Sequence, residues 1–295
     1  METIPFKAVV RMLGPIAWLA LAAGLQMLGA LLFFKTPVDL ILITTYFIIT
    51  FGIYLLNRFT DSEDSFNCPE QRIFFQQKSK LIIVPIFFIA ISIILLTATD
   101  RLVFWHIILI VLGVLYSVNL IPMVHNNSMR FVRLKDLLFI KNISVSLLWG
   151  ITPFVIAASQ KSPVFPTLGD LLVVVSAFCL TTLINTVSCD VRDTDGDRHA
   201  GVLTLATRFG EKRTGALLSS LGILAGLLVA IDFFLGNVGK PATILFFSTI
   251  IWTGAVAVPI YIKKIKFPKS LSEPLIDTQQ VVCGLSLIVL SINIQ

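Results

Sequence analysis

Nine stretches of this chain are apolar for long enough to cross a bilayer as helices, and no soluble fold accommodates that pattern. Crossing about 30 Å of hydrocarbon takes roughly 20 helical residues. Stretches of that kind occupy residues 12–34, 38–56, 81–98, 102–120, 138–158, 171–187, 216–235, 241–262 and 278–294. Composition agrees: 56% of the 295 residues are hydrophobic and 14% are charged, whereas a soluble domain carries about 25% charged residues. Mean hydropathy is +0.90. The expectation is an all-α integral membrane protein in which residues 1–295 form one domain. The first stretch exceeds a secretory h-region and eight more follow it, so it is read as a retained helix. Cys68, Cys179, Cys189 and Cys283 lack metal-ligand spacing and imply neither a zinc site nor a disulfide framework.

Assigning the connecting loops alternately to two sides separates the charges. Nineteen of the 23 Lys and Arg residues fall on one side, and only Lys35, Arg101, Lys161 and Lys240 fall on the other. Cytoplasmic loops carry the basic excess. The N-terminus is therefore expected in the cytoplasm and the C-terminus opposite, in a bacterial inner membrane. Because the basic residues are scattered among loops, the net charge of +6 points to topology and the membrane surface, not to nucleic acid. The polar chemistry gathers in cytoplasmic loops at about 57–80, 121–137 and 188–214, where function should be sought.

Two acidic clusters stand out. One follows the second span, with Asn57, Asp61 and Asp64; the other follows the sixth, with Asp190, Asp193 and Asp197. On a continuous helix each set would share one face, where like charges repel. A hard divalent cation relieves that repulsion, and Mg2+ is typically held by one or two carboxylates together with substrate phosphates. Asn57, Asp61, Asp64, Asp190, Asp193 and Asp197 are thus the candidate metal ligands. The repeated D-x-x-D pattern after spans two and six suggests a duplication. Arg72, Lys135, Lys141, Arg192 and Arg198 are the cations suited to a diphosphate. The polar residues Asn67, Tyr116 and Asn185 complete the candidate set.

These residues resemble the UbiA-type intramembrane prenyltransferases. The family's first motif, N-D-x-x-D-x-x-x-D, is met by Asn57 and Asp61, and Asn67, Pro69 and Arg72 look like its downstream N-x-P-x-x-R. Arg58 and Ser65 stand where aspartates are usual, which leaves Asp64 to supply the later ligand. The second motif is matched by Asp190, Asp193 and Asp197, with Gly201, Thr204 and Leu205 after it. Tyr116 and the segment from Arg133 through Lys135 and Asp136 to Lys141 and Asn142 are similar to the family's loop between helices 4 and 5.

The resemblance implies about nine helices around a central lipid-accessible cavity. It also implies Mg2+-dependent transfer of an isoprenyl group from an allylic diphosphate to a lipophilic, often aromatic, acceptor such as a quinone precursor. A cyclase of the same fold, or a transporter with an acidic cation site, is the competing reading. Acids clustered at helix ends on one face disfavour the transporter, whose site would lie near the midplane.

Overall fold

The computed structural model describes residues 6–61, 76, 78–125, 128–234 and 269–293. Helices α1 (Phe6–Phe33), α2 (Leu40–Thr60), α3 (Ile83–Ala98) and α4 (Phe104–Ser117) are followed by a hairpin of β1 (Ile121–His125) and β2 (Ser128–Val132). A 3-10 turn, Leu134–Asp136, leads to α5 (Ile140–Ala158) and α6 (Leu168–Arg192). Two short helices, α7 (Thr194–Ala200) and α8 (Leu205–Phe209), precede α9 (Glu211–Phe234) and the final α10 (Lys269–Asn293).

Among the described residues, five helices are long and apolar enough to cross a membrane: α1, α2, α5, α6 and the Ser272–Ile292 part of α10. Helices α3 and α4 are apolar but have only 16 and 14 residues, about 24 and 21 Å of length. The helix expected over 102–120 stops early because Pro122 lies ahead. A helix continued to Pro122 would set the proline ring against the Val118 carbonyl and lose the amide that would donate to it, and Val118 is already extended (φ −120°, ψ 142°). The antiparallel hairpin pairs Ile121 with Val132 and His125 with Ser128, where a plain loop is predicted. The apolar stretch at 241–262 lies outside the described residues.

Among the described residues, the first and last helices form the most extensive pair. Lipid gives apolar helices little reason to associate, so close backbone approach and interhelical hydrogen bonds carry the packing. Both are present. A Cβ on Gly29 would lie 2.8 Å from Leu287, and a Cβ on Gly284 would lie 2.8 Å from Leu25. Only glycine at these two positions lets α1 and α10 come together. Gln26 then donates to the Gln280 Oε1 at 2.9 Å, and Gln280 donates to the Thr182 hydroxyl at 3.2 Å. Gln279 donates to the Thr181 carbonyl at 3.0 Å. The seam ties α1, α10 and α6 together where all five side chains are buried.

At the end of the bundle away from the acidic clusters the connections are short and capped. Asp39 accepts from the Ile41 and Leu42 amides at the start of α2, and it pairs with Arg101. Burial pushes the Asp39 pKa up, but Arg101 and the two amides outweigh it and hold the carboxyl below its ordinary value.

Candidate functional site

Six helices and the 3-10 turn present their ends to one side of the bundle. There the C-terminal ends of α2, α4 and α6 meet the beginnings of α1, α5 and α10 and the 3-10 turn, around a cavity of about 180 Å³. That is roughly ten times the room one ordered water needs. Of the predicted residues, Asn57, Asp61, Tyr116, Lys135, Lys141, Asn185, Asp190, Arg192, Asp193 and Asp197 line it. Arg198 is exposed on α7 and does not line it. Asp64, Asn67 and Arg72 lie outside the described residues.

The two clusters do not ride on continuous helical faces as their spacing suggests. Asp61 caps the end of α2 in an extended conformation (φ −88°, ψ 100°). Asp193 caps α6 at φ −91°, ψ 6°, and α7 restarts immediately after it. The break still delivers Asp190, Asp193 and Asp197 to the same cavity. Gly201, at φ +72°, takes the left-handed turn that ends α7 and sends the chain back along α8; a residue with a side chain would be strained there.

The carboxylates have basic or amide partners, some from distant parts of the chain and some from the next few residues. Lys135 pairs with Asp61. Lys141 reaches Asp190 at 2.5 Å, and Asn142 donates to the other Asp190 oxygen at 2.9 Å. Arg192 forks onto its neighbour Asp193 at 3.0 and 2.6 Å, and Arg133 forks onto Asp136 at 3.1 and 2.6 Å. Phe139, with φ of 66°, turns the chain directly before α5 and so positions Lys141 and Asn142.

Four contributions were not legible in the sequence. Arg58, in the position where the resembling motif has an aspartate, pairs with Glu273. Glu273 and Asp277 sit one turn apart on α10 and both line the cavity, because α10 begins at Lys269 and not at residue 278. Tyr54 lines it from α2, one turn before Asn57. The available signal was the rule that an ionisable residue beside an apolar span usually faces an aqueous cavity.

The described lining carries seven carboxylates (Asp61, Asp136, Asp190, Asp193, Asp197, Glu273, Asp277) against five cations (Arg58, Arg133, Lys135, Lys141, Arg192). A polyanion could not be held against that excess without added positive charge. The donor chemistry fits a hard divalent ion, since the lining is rich in carboxylate oxygens. The Asn57 Oδ1 is in addition buried without a hydrogen-bond partner. No three acidic, histidine or cysteine side chains among the described residues converge into a closed ligand set. An ion here would need further oxygens from a ligand, which suits Mg2+.

Below the polar cavity lies a second, mostly apolar chamber lined by Ala23, Tyr46, Ile53, Leu109, Leu148 and Trp149 among others. The two spaces share Tyr54, Asn57, Tyr116 and Val145.

The sequence model of the UbiA prenyltransferase family matches residues 13–270. The chain belongs to the UbiA prenyltransferase family. The matched stretch contains both acidic clusters, whereas Glu273 and Asp277 fall beyond it. No curated protein matches the chain significantly. Solved UbiA structures share the fold. A UbiA homolog from Archaeoglobus fulgidus bound to DMAPP and Mg2+ is 16% identical with a TM-score of 0.64, over 95% of this chain and 98% of that one. The same archaeal homolog bound to GPP and Mg2+ gives 15% identity and a TM-score of 0.65, over 96% and 99% of the two chains. The apo UbiA homolog from Aeropyrum pernix K1 gives 17% and 0.62, over 93% and 98%.

Proposed function

We propose that this UbiA-family protein is a nine-helix, Mg2+-dependent prenyltransferase of the bacterial inner membrane. It moves an isoprenyl group from an allylic diphosphate to a lipophilic acceptor of the aromatic class. The observation that carries this reading is the direct junction between a carboxylate-rich cavity and an apolar chamber. An isoprenyl diphosphate has the same two halves. The Archaeoglobus homolog of the same fold holds DMAPP or GPP with Mg2+, and the excess of carboxylates in this cavity fits the same arrangement.

In this role Asn57, Asp61, Asp190, Asp193 and Asp197 hold the metal, with Asp64 as the expected further ligand. Mg2+, when bound, neutralises the diphosphate and stabilises the leaving pyrophosphate. The Lys135–Asp61 and Lys141–Asp190 pairs exchange partners on loading: the carboxylates turn to the cation, and the freed ammonium groups turn to phosphate oxygens. Arg192 and the expected Arg72 supply further positive charge where negative charge develops during C–O cleavage. Cleavage leaves an allylic cation, the acceptor attacks it, and the acceptor then loses a proton. The apolar chamber holds the isoprenyl chain and keeps water from the cation. Tyr116 and Asn185 line the wall toward the acceptor. The basic excess of the loops on this side supports a cytoplasmic cavity.

The test is pyrophosphate release by the purified protein in lipid, with farnesyl or geranylgeranyl diphosphate and a panel of phenolic acceptors. Release that requires both Mg2+ and one acceptor is the expected result. Release without any acceptor would make the protein a cyclase or hydrolase. Absence of diphosphate binding would favour the transporter.

A further inference from the structure

The cavity and the apolar chamber meet at a single level, and two helices show how the polarity changes along it. On α2, Asp61, Asn57 and Tyr54 lie one above the other at successive turns, and Thr50 and Tyr46 continue the same face into the chamber. On α5, Lys141, Val145 and Trp149 follow at four-residue intervals. Charge therefore ends, and apolar surface begins, at the height of Asn57, Tyr54 and Val145.

An allylic diphosphate lying along this axis has one atom that must sit at the boundary. Its C1 joins the anionic head to the hydrocarbon tail. The side chains that line both spaces are Tyr54, Asn57, Tyr116 and Val145, of which two are aromatic. Tyr54 is the one held by both a hydrogen bond and a ring contact. The Trp149 indole N–H donates to the Tyr54 hydroxyl at 3.1 Å, and the two rings meet edge to face at 6.2 Å and 73°. Trp149 is itself 9% exposed, so its position is set by the core. Tyr54 also belongs to neither acidic motif.

We infer that Tyr54 is a catalytic residue of the prenyl transfer, its π face stabilising the allylic cation while Trp149 positions the ring. This inference rests on the reading given under Proposed function. The step is a heterolysis: the C1–O bond breaks, its electron pair leaves with the bridging oxygen of pyrophosphate, and positive charge spreads over C1 and C3 of the allyl group. Tyr54 forms no bond and gives up no proton. A ring face in a water-poor site attracts a cation far more strongly than one at a wet surface.

Ionisation can be followed without knowing the acceptor. With geranyl diphosphate carrying 18O at the bridging position, cleavage, rotation of the pyrophosphate and return move the label to a non-bridging oxygen of the same phosphate. The wild type with Mg2+ in lipid is expected to show this exchange. Tyr54→Leu, which removes the ring but keeps the position apolar, should slow exchange by about 30-fold, with Kd for geranyl diphosphate unchanged. That unchanged binding also shows the variant is folded. Tyr54→Phe should retain most of the rate. Phenylalanines bearing one, two and three ring fluorines at position 54 keep the shape but weaken the π face, and should lower the rate stepwise.

Exchange in Tyr54→Leu equal to wild type, or a rate indifferent to fluorination, would overturn the role of Tyr54 and leave the prenyltransferase reading intact. Absence of exchange in the wild type with diphosphate bound would overturn the ionising reaction itself, and this inference with it.

Discussion

At the level of single residues, the cavity is governed by where charges find partners. Asp190 is 3% exposed and is held by Lys141 and Asn142. Removing one partner of a buried pair strands the other, at a cost of about 3 kcal/mol. Lys141→Met is therefore expected to lower thermal stability markedly, and adding Asp190→Asn should restore it without restoring activity. Thermal unfolding in detergent, alongside turnover, checks both halves. Asp61→Ala and Asp193→Ala should each abolish turnover while the protein still elutes as a folded species by size exclusion. Full activity in both would remove them from the metal site. The aspartates were legible because their chemistry shows at short spacing. Glu273 and Asp277 were not, because nothing local links them to a cluster more than 200 residues earlier; only the packing of α10 against α1 and α6 brings them there.

Elements were read from apolar length, and that signal locates a helix better than it bounds one. Residues 171–187 are the apolar part of a helix that runs Leu168–Arg192; Thr167 caps its start on the far side, and its polar C-terminal end lines the cavity. Pro122 ended α4 earlier than its hydropathy suggests, and the hairpin after it has no apolar run long enough to stand out. Small residues are invisible to hydropathy, yet they set the close approach of α1 and α10. Gly29→Leu or Gly284→Leu should force α1 and α10 apart, at a cost of about 1–3 kcal/mol. Lowered melting temperatures in both variants, with neighbouring Gly14→Leu nearly neutral because a side chain there meets open space, are the expected pattern. Equal tolerance at all three positions would contradict the close approach.

For the molecule as a whole, the two-sidedness read from charge agrees with the structure, in which the ends of α2, α4 and α6 and the starts of α1, α5 and α10 share one face. The orientation we propose rests on the loop charges. In a cysteine-free background, Ser162→Cys is expected to react with a membrane-impermeant maleimide from outside intact cells. Asp195→Cys, exposed on α7, should react only after lysis. The reverse pattern would invert the topology.

The central claim is that diphosphate enters this cavity only with a divalent ion, because its described lining has more carboxylates than cations. Calorimetric binding of geranyl thiolodiphosphate, in which sulfur replaces the bridging oxygen and cleavage is slow, tests it directly with purified protein in lipid. Binding should be present with Mg2+, lost with EDTA, and restored when Mg2+ is returned. Equal binding with and without the metal would contradict the account.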